Sequence, residues 1–251
     1  MRFSPFITEP VTEPVIRRQI VCHQVISHQV IRYLAIRVLV LNLIVLFLVI
    51  SLSGCSSLPG AQGVGQASAA LPQPWPPQLG KEYPDLKLKD ASGNVVALSK
   101  YKGKVILLEP IGMSCPACQA FCGATSGNSY GDVSPQANLP AMEAYLKQQG
   151  IDPEDPNLVR VQLLLYNLAM QAPTQSEAKK WTDTFAMSNE DNVVTLVGQP
   201  EFISEATYNL IPGFQLIDQD FVLRSDSTGH HPASDLYREL VPSLKQLLSK
   251  N

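Results

Sequence analysis

Three cysteines lie within eight residues of one another, directly downstream of a short apolar segment. Cys115, Cys118 and Cys122 follow the run Val105–Leu108 and the connecting residues 109–114. A continuous apolar run of this length is typical of a strand that is buried on both faces. Cys115 then begins a segment of helical character that extends to Cys122. The order strand, Cys-x-x-Cys, helix predicts a redox-active dithiol at the start of a helix.

The two cysteines of the Cys-x-x-Cys motif have different expected environments. Unpaired backbone N–H groups at the start of a helix favour negative charge, so Cys115 stands where a thiolate is stabilised. Cys118 lies one turn further along and is expected to be more buried. We therefore predict that Cys115 exchanges with a partner thiol or disulfide, and that Cys118 resolves the mixed disulfide.

The N-terminal segment differs from the rest of the chain. Val38–Leu52 is almost entirely apolar and follows Arg32 and Arg37, which is the pattern of a secretory signal. The run is shorter than the roughly 20 residues of a permanent membrane span. It ends in the letters LSGC, which resemble the lipobox of bacterial lipoproteins. The resemblance implies that Cys55 is acylated and begins the mature protein. The alternative is an uncleaved membrane helix with an incidental cysteine.

The chain is thereby divided into three parts. Residues 1–54 form a leader, of which residues 1–30 are either a misassigned translation start or a cytoplasmic tail. Residues 55–80 contain a stretch rich in Gly, Ala, Pro and Gln, which predicts a flexible tether. Residues 81–251 form the folded domain, and no Lys/Arg cluster indicates nucleic-acid binding. We expect this domain in the bacterial cell envelope, anchored by its lipid in the periplasm or outside the membrane.

The cysteine count narrows the role of the cluster. Of five cysteines, Cys22 precedes the expected mature start and Cys55 carries the lipid. A structural disulfide framework would spread its cysteines along the chain, and a zinc site would need a second ligand pair. The remaining three therefore favour a local redox role in an exported domain, where disulfides can persist. The sequence contains no cofactor motif.

Strand and helix patterns alternate along the domain, which predicts an α/β fold with a central mixed sheet flanked by helices. Alternation on both sides of Ser92-Gly93-Asn94 predicts an N-terminal β-hairpin within Leu86–Leu98. Ser176 is the predicted N-cap of its helix. Beyond the active-site strand and helix, the predicted helices are 141–149, 176–187, 201–208 and 236–247, and the predicted strands are 159–166, 193–197, 214–217 and 221–224.

The segment Tyr83–Phe121 resembles the thioredoxin-like lipoproteins and membrane-anchored thiol-disulfide oxidoreductases of TlpA and ResA type. A β-hairpin, a Ser-x-Tyr-x-Gly-Lys bridge, a buried strand and Cys-x-x-Cys follow one another in the same order. The similarity returns at Tyr208–Arg224. The resemblance implies a thioredoxin fold with an insertion, residues 123–157, after the active-site helix. It also implies disulfide exchange with partner proteins and a redox partner that remains to be identified.

The resemblance assigns two further site residues. Glu109 lies six residues before Cys115, where thioredoxins have a buried acid that moves a proton to or from Cys118. Burial there would raise its pKa. Pro212 precedes a predicted strand, where thioredoxin-fold proteins have a cis-proline that faces the dithiol and leaves backbone free to pair with substrate. The alternatives are a solvent-facing Glu109 and an ordinary trans turn proline.

Other readings of the same residues stay open. Cys118 and Cys122 form a Cys-x-x-x-Cys that, with His230 and His231, resembles the copper site of Sco-type chaperones, although it begins one helical turn too late. Cys122 is alternatively a small buried hydrophobe. The domain could also be an envelope assembly protein that has lost its redox cycle. The tryptophan that usually precedes the first cysteine is replaced by Met113-Ser114, so partner choice does not carry over.

Overall fold

The computed structural model describes residues 75–187 and 192–250. The leader, the lipidation residue Cys55 and most of the tether lie outside the described residues, so those assignments stay predictions. Within the described part of the chain, no helix is both long enough and apolar enough to cross a membrane.

A seven-stranded mixed sheet forms the centre of the domain. Its strands are β1 (Lys87–Asp90), β2 (Val95–Ala97), β3 (Val105–Gly112), β4 (Leu158–Tyr166), β5 (Val193–Val197), β6 (Gln215–Ile217) and β7 (Leu223–Asp226). Their order across the sheet is β2-β1-β5-β4-β3-β6-β7. Strands β3, β4 and β5 run parallel, whereas β6 and β7 on one side and β1 and β2 on the other pair antiparallel.

This topology is that of the thioredoxin fold, as the sequence resemblance implies. A helix and strand β4 follow β3, and the β6–β7 hairpin returns to the other edge of β3. The additional hairpin β1–β2 extends the sheet beyond β5. The predicted N-terminal hairpin is therefore confirmed, and β3 lies in the interior of the sheet.

Five α-helices accompany the sheet in the described residues. They are α1 (Pro116–Phe121), α2 (Met142–Gln148), α3 (Gln175–Thr184), α4 (Glu205–Tyr208) and α5 (Val241–Leu248), with a π-helical turn at Leu236–Leu240 before α5. The predicted N-cap Ser176 is wrong. Thr174 caps α3 instead, and it forms a capping box with Glu177, whose side chain accepts from the Thr174 N–H at 2.7 Å.

The side chains of β3 alternate between two apolar clusters, as expected for a strand with both faces buried. Val105 and Leu107 pack with Phe121 of α1, with Leu216 of β6 and with residues of α2 and α5. Ile106 and Leu108 belong to a second cluster with Val161, Leu163, Leu98 and Phe202. Because Glu109 continues the alternation of Val105 and Leu107, β3 directs this acid under α1.

One buried side chain of α1, Gln119, joins the active-site helix to the start of the insertion 123–157 by hydrogen bonds. The Gln119 amide donates to the carbonyls of Met113 at 2.9 Å and Tyr130 at 2.8 Å, and its oxygen accepts from the Tyr130 N–H at 2.8 Å. The Gln136 N–H donates to the Pro116 carbonyl at 2.9 Å. These bonds fix the start of the insertion beside the first turn of α1.

Candidate active site

Cys115 lies at the N-cap of α1, directly after the turn that ends β3. Its backbone is extended, with φ −81° and ψ 119°, and its Sγ accepts a hydrogen bond from the Cys118 N–H at 3.3 Å. Pro116 occupies the first turn, where a missing N–H costs no helical hydrogen bond. The first sulfur therefore faces an N–H group that is available to a thiolate.

The two thiols of the motif differ in burial and in pKa. Cys115 is half-buried, whereas Cys118 has no exposed surface. The Cys118 thiol donates to Cys115 and, with backbone N–H groups of Ala117 and Cys118, lowers the pKa of Cys115 to about 7 against the opposing effect of burial. Burial first, and then the hydrogen bond to Cys115, raise the pKa of Cys118 well above its ordinary value. Cys115 is thus the thiol that ionises near neutral pH.

Glu109 is buried beneath this pair, with 4% of its surface exposed. Burial raises the pKa of Glu109 well above its ordinary value, the nearby charge of Cys115 raises it further, and a hydrogen bond from Cys122 lowers it. The alternative of a solvent-facing side chain is therefore excluded. The role of Glu109 in proton transfer stays a prediction.

Cys122 contacts Glu109 directly and is part of a buried polar network. Its Sγ lies 3.9 Å from Glu109 Oε2 as donor, and it accepts from Gln162 Nε2 at 3.0 Å. Gln162 is the register partner of Glu109 across the parallel strands β3 and β4, so both side chains emerge on the same face. Cys122 therefore has two polar contacts, beyond those of a small hydrophobe that only fills space.

Pro212 lies near the dithiol, and the Ile211–Pro212 peptide is cis. A Cβ placed on Gly112 would lie 3.4 Å from Ile211 Cδ1 and 3.7 Å from Cys115 Cβ, so the three residues meet at the end of β3. The Ile211 N–H already donates to the Tyr208 carbonyl at 3.1 Å. Gly213, with φ +141°, leaves no room for a side chain, because a Cβ would collide with the Ser227 carbonyl.

Cys115 opens into a cleft of about 250 Å³. Among the described residues that line it there is no Asp, Glu, Lys or Arg, and its walls are mainly apolar or aromatic. They include Tyr166, Met170, Tyr208, Ile211, Pro212 and His230. Met170 and Tyr208 are among the large hydrophobic side chains that remain exposed, at 43% and 49%. Gln136 brings the insertion to the rim, so insertion and core build the cleft together.

A second cavity, of about 530 Å³, reaches Glu109 and Cys122 from another side. It shares no lining residue with the Cys115 cleft. Apolar walls from Leu107, Phe121 and Phe214 enclose it, and Arg160, Glu143 and Lys147 also line it. Lys147 and Glu143 are about half exposed, so the cavity extends to the protein surface.

The four residues of the predicted copper alternative do not assemble in one place. Cys118 and Cys122 are buried, whereas His230 lines the cleft of Cys115. His231 is exposed and is not part of that cleft. Among residues 75–187 and 192–250, no group of three or more His, Cys, Asp and Glu side chains is arranged to hold a metal ion.

The structure therefore brings together Cys115, Cys118, Glu109 and Pro212, as the sequence resemblance implies. Sequence reasoning missed Gln162, which contacts Cys122, and the side chains that fix it. It also missed Met170 and Tyr208 at the cleft. A Gln between Val161 and the apolar letters Leu163–Leu165 of β4 is the signal that could have indicated a buried polar partner.

Solved structures align with this chain at low sequence identity. No protein-family model matches the chain, and no curated protein matches its sequence. A Sco-family cytochrome c oxidase assembly protein, BsSco, aligns at 17% identity over 69% of this chain and 96% of its own, with a TM-score of 0.45.

Two further solved structures align over similar lengths. The thioredoxin domain of a thiol-disulfide oxidoreductase from Bacteroides vulgatus matches at 15% identity, covering 68% of this chain and 98% of its own, with a TM-score of 0.42. A SCO1/SenC family lipoprotein from Bacillus anthracis matches at 17% identity over 71% and 99%, also with a TM-score of 0.42. At these identities and TM-scores, the chemistry of this chain has to be argued from its own side chains.

Proposed function

We propose that this protein is a thiol-disulfide oxidoreductase that exchanges disulfides with partner proteins through Cys115 and Cys118. The observation that carries the proposal is the asymmetry of the pair. Cys115 has a pKa of about 7 and opens into a cleft, whereas Cys118 is buried and has a raised pKa. A dithiol of this kind has one sulfur for attack and one for resolution.

In the reducing direction, the Cys115 thiolate attacks one sulfur of a partner disulfide and releases the other as a thiolate. Cys118 then loses its proton and attacks Cys115, which releases the second partner thiolate and closes the Cys115–Cys118 disulfide. Two electrons pass from the dithiol to the partner. The oxidising direction is the reverse, and the reduction potential of the pair sets which one operates.

Glu109 is the proposed acceptor of the Cys118 proton. Its charge is among the causes that raise the pKa of Cys118, so the two groups interact. An ionised carboxylate takes the proton as Cys118 attacks, and the neutral acid returns it in the opposite direction. The raised pKa of Glu109 brings the carboxyl closer to the pKa of a thiol, which makes the transfer easier in both directions.

The cleft favours an uncharged, apolar segment of polypeptide next to the exchanging cysteine. Its described walls contain no Asp, Glu, Lys or Arg side chain, and exposed Met170 and Tyr208 border it. Exposed apolar side chains gathered at one place are typical of an interaction surface. We therefore propose extended protein segments with apolar side chains beside the cysteine as the substrates.

Insulin reduction tests the proposal, in an assay in which dithiothreitol keeps the protein reduced. We expect precipitation of the insulin B chain to be accelerated by the native protein and not by Cys115→Ser. The pre-reduced Cys118→Ser variant, freed of dithiothreitol before insulin is added, should instead accumulate a mixed disulfide with insulin, visible on a non-reducing gel. A native protein that gives neither acceleration nor mixed disulfide would contradict the proposal and would favour a redox-inactive assembly role.

Copper binding is kept as a second candidate, because His230 lines the same cleft as the Cys115 sulfur. A thiolate and an imidazole are ligands that copper accepts. Titration of the reduced domain with Cu(I), for the native chain and for His230→Ala with His231→Ala, tests it. Stoichiometric Cu(I) binding by the native chain that is weaker in the double variant would support copper handling. Equally weak binding by the native chain and the double variant would exclude it.

The proposed location is the cell envelope, with the domain attached by lipid at Cys55. The support is the apolar run Val38–Leu52 followed by LSGC. Labelling of growing cells with radioactive palmitate should mark the native chain, and Cys55→Ala should lose the label. Equal labelling of both chains would contradict acylation at this residue.

A further inference from the structure

Cys122 is a buried thiol that the exchange reaction does not use. It lies at the C-terminal end of α1, with φ −75° and ψ −2°, and 8% of its surface is exposed. Burial first, then the charge of Glu109, raise the pKa of Cys122 well above its ordinary value. The sulfur therefore carries its proton near neutral pH, and it acts as a hydrogen-bond donor rather than as a nucleophile.

A chain of hydrogen bonds orients the Cys122 thiol. Trp181 Nε1 donates to Gln162 Oε1 at 3.2 Å, and Thr195 Oγ1 donates to the same oxygen at 3.1 Å. Two donors on Oε1 fix the orientation of the amide, which leaves Nε2 to donate to Cys122 Sγ at 3.0 Å. Because the sulfur accepts from Gln162, its own hydrogen is directed to Glu109 Oε2, 3.9 Å away.

This thiol affects Glu109 in the opposite sense from burial. A donor to a carboxylate favours the charged form, and the hydrogen bond from Cys122 lowers the pKa of Glu109 while burial raises it. The other carboxyl oxygen, Oε1, is buried and has no hydrogen-bond partner among the described residues. Glu109 lines the 530 Å³ cavity. Within the described part of the chain, Cys122 is thus the one side chain that forms a hydrogen bond to this carboxyl.

The other ionisable groups around Glu109 come from α1 and its two capping residues, from β4, and from α2 and the loop that follows it. Helix α1 contributes Cys115 and Cys118 in addition to Cys122, and their charges affect one another. Arg160 of β4 and Lys147 and Glu143 of α2 line the cavity with Glu154. Glu143 pairs with Lys147 at 2.8 Å and with Arg160 at 3.0 Å. Apart from Glu109 itself, the cavity has two cations and two acids, whose formal charges balance, and among the described residues none of the four forms a hydrogen bond to Glu109.

We propose that Cys122, oriented by Gln162, is a positioning residue that holds the Glu109 carboxyl and favours the carboxylate form that accepts the proton of Cys118. The inference rests on the proposed function for its consequence in catalysis. The contact between Cys122 and Glu109 does not depend on whether any protein disulfide is exchanged. The inference about this contact and the proposed function can therefore be refuted separately.

The carboxyl titration of Glu109 tests the contact without any substrate. Carbon-13 NMR of the Glu side-chain carboxyls, in a Cys115→Ser background that removes the charge of Cys115, follows the titration, and the signal is assigned by its loss in Glu109→Gln. We expect Cys122→Ala to move the titration midpoint up by roughly half to one pH unit, as loss of a weak donor requires. Cys122→Ser retains a donor and should return the midpoint towards the native value.

The resolving step tests the consequence. A chromogenic aromatic disulfide reacts with Cys115 and releases one coloured thiol, and attack by Cys118 then releases a second. The pH profile of the second release should move to higher pH in Cys122→Ala. In the Glu109→Gln background the same substitution should cause no further displacement, because the group through which Cys122 acts is absent.

Three results would overturn the inference. One is an unchanged Glu109 midpoint in a folded Cys122→Ala protein, with folding checked by circular dichroism. Another is a Cys122→Ser protein that titrates like Cys122→Ala. The last is a displacement of the pH profile that persists in the Glu109→Gln background, since that indicates a general packing effect. A normal carboxyl response in a protein that fails to reduce insulin would instead count against the proposed function alone.

Discussion

The two cavities beside α1 differ in chemistry although both adjoin the same short helix. The cleft at Cys115 is small, free of formally charged acids and bases, and bordered by exposed Met170 and Tyr208. The cavity at Glu109 combines apolar walls with a buried acid, a protonated thiol and a balanced set of charged side chains. The two have no lining residue in common.

The difference separates two tasks that a dithiol exchange requires. A partner protein has to approach the attacking sulfur closely, which an uncharged apolar cleft allows at little desolvation cost. The resolving sulfur has to lose a proton away from that partner, and the buried acid behind α1 serves this need. We therefore assign partner recognition to the cleft at Cys115 and proton transfer to the cavity at Glu109. Separate substitutions test the two assignments.

The largest expected effect is loss of the attacking thiol. Cys115→Ser should reduce insulin-reduction activity to the uncatalysed level, because the hydroxyl does not ionise near neutral pH. Stopped or continuous turbidity assays measure the rate, and Cys122→Ser is the matched control because it exchanges sulfur for oxygen in the same helix. Comparable losses in both variants would mean that the two regions are not functionally distinct.

The next effect concerns the acid behind the helix. Glu109→Gln should slow the resolving step by about 10²-fold, the usual contribution of a positioned proton acceptor. Alkylation of Cys115 by iodoacetamide should change little, since that step needs no proton acceptor. The control is Glu143→Gln at the half-exposed end of the same cavity, for which we expect near-native rates. An equal slowing of both steps would contradict the separation of tasks.

A substitution in the cleft should slow the reaction with a protein substrate and leave the reaction with a small disulfide unchanged. Met170→Asp places a charge on the apolar border, and we expect a roughly tenfold slower reaction with insulin, since losing about half of the roughly 1.5–3 kcal/mol from burying a methionine corresponds to about that factor. Reaction with a small linear disulfide such as oxidised glutathione should be unaffected. Val95→Asp, at a side chain that is 72% exposed on β2, is the control. If Met170→Asp slowed both substrates alike, the cleft would not be a recognition surface.

The smallest effect is a displacement in pH. The thiolate is the reactive form, so alkylation of Cys115 should accelerate with rising pH and reach half of its maximum at about pH 7. Replacement of Cys118 by Ala removes the largest cause of the lowered pKa, and the midpoint should rise by about half a unit or more. Intact-mass analysis of alkylated protein gives the rates. A midpoint near the ordinary thiol pKa in the native chain would refute the asymmetry of the pair.

The sequence patterns predict most of the fold because their periods reflect burial directly. The hairpin β1–β2, the parallel strands β4 and β5, and helix α2 ending before Gly150 lie where the patterns indicate them. Strand β3 extends to Gly112, beyond its predicted end, because Glu109 and Pro110 interrupt the apolar letters although both are buried. The letters TQSE contain the capping box of α3, because Thr174 stands three residues before Glu177, whereas the predicted cap Ser176 precedes that Glu by only one residue.

The site is less predictable than the fold, since its contacts join residues far apart in the chain. Cys115 and Cys118 are evident from their spacing. Gln162 reaches Cys122 across 40 positions, and the contact exists only because the β3–β4 register places Glu109 beside Gln162. The second cavity depends on how α2 lies over the sheet, which local patterns do not encode.

Identification of the disulfide that forms on oxidation tests the central claim most directly. The reduced native protein is equilibrated with oxidised glutathione, free thiols are alkylated in denaturant, and the digest is analysed by mass spectrometry. We predict one intramolecular disulfide, between Cys115 and Cys118, with Cys122 recovered as an alkylated thiol. A Cys118–Cys122 disulfide, or a protein in which Cys115 and Cys118 both remain free thiols, would contradict the account.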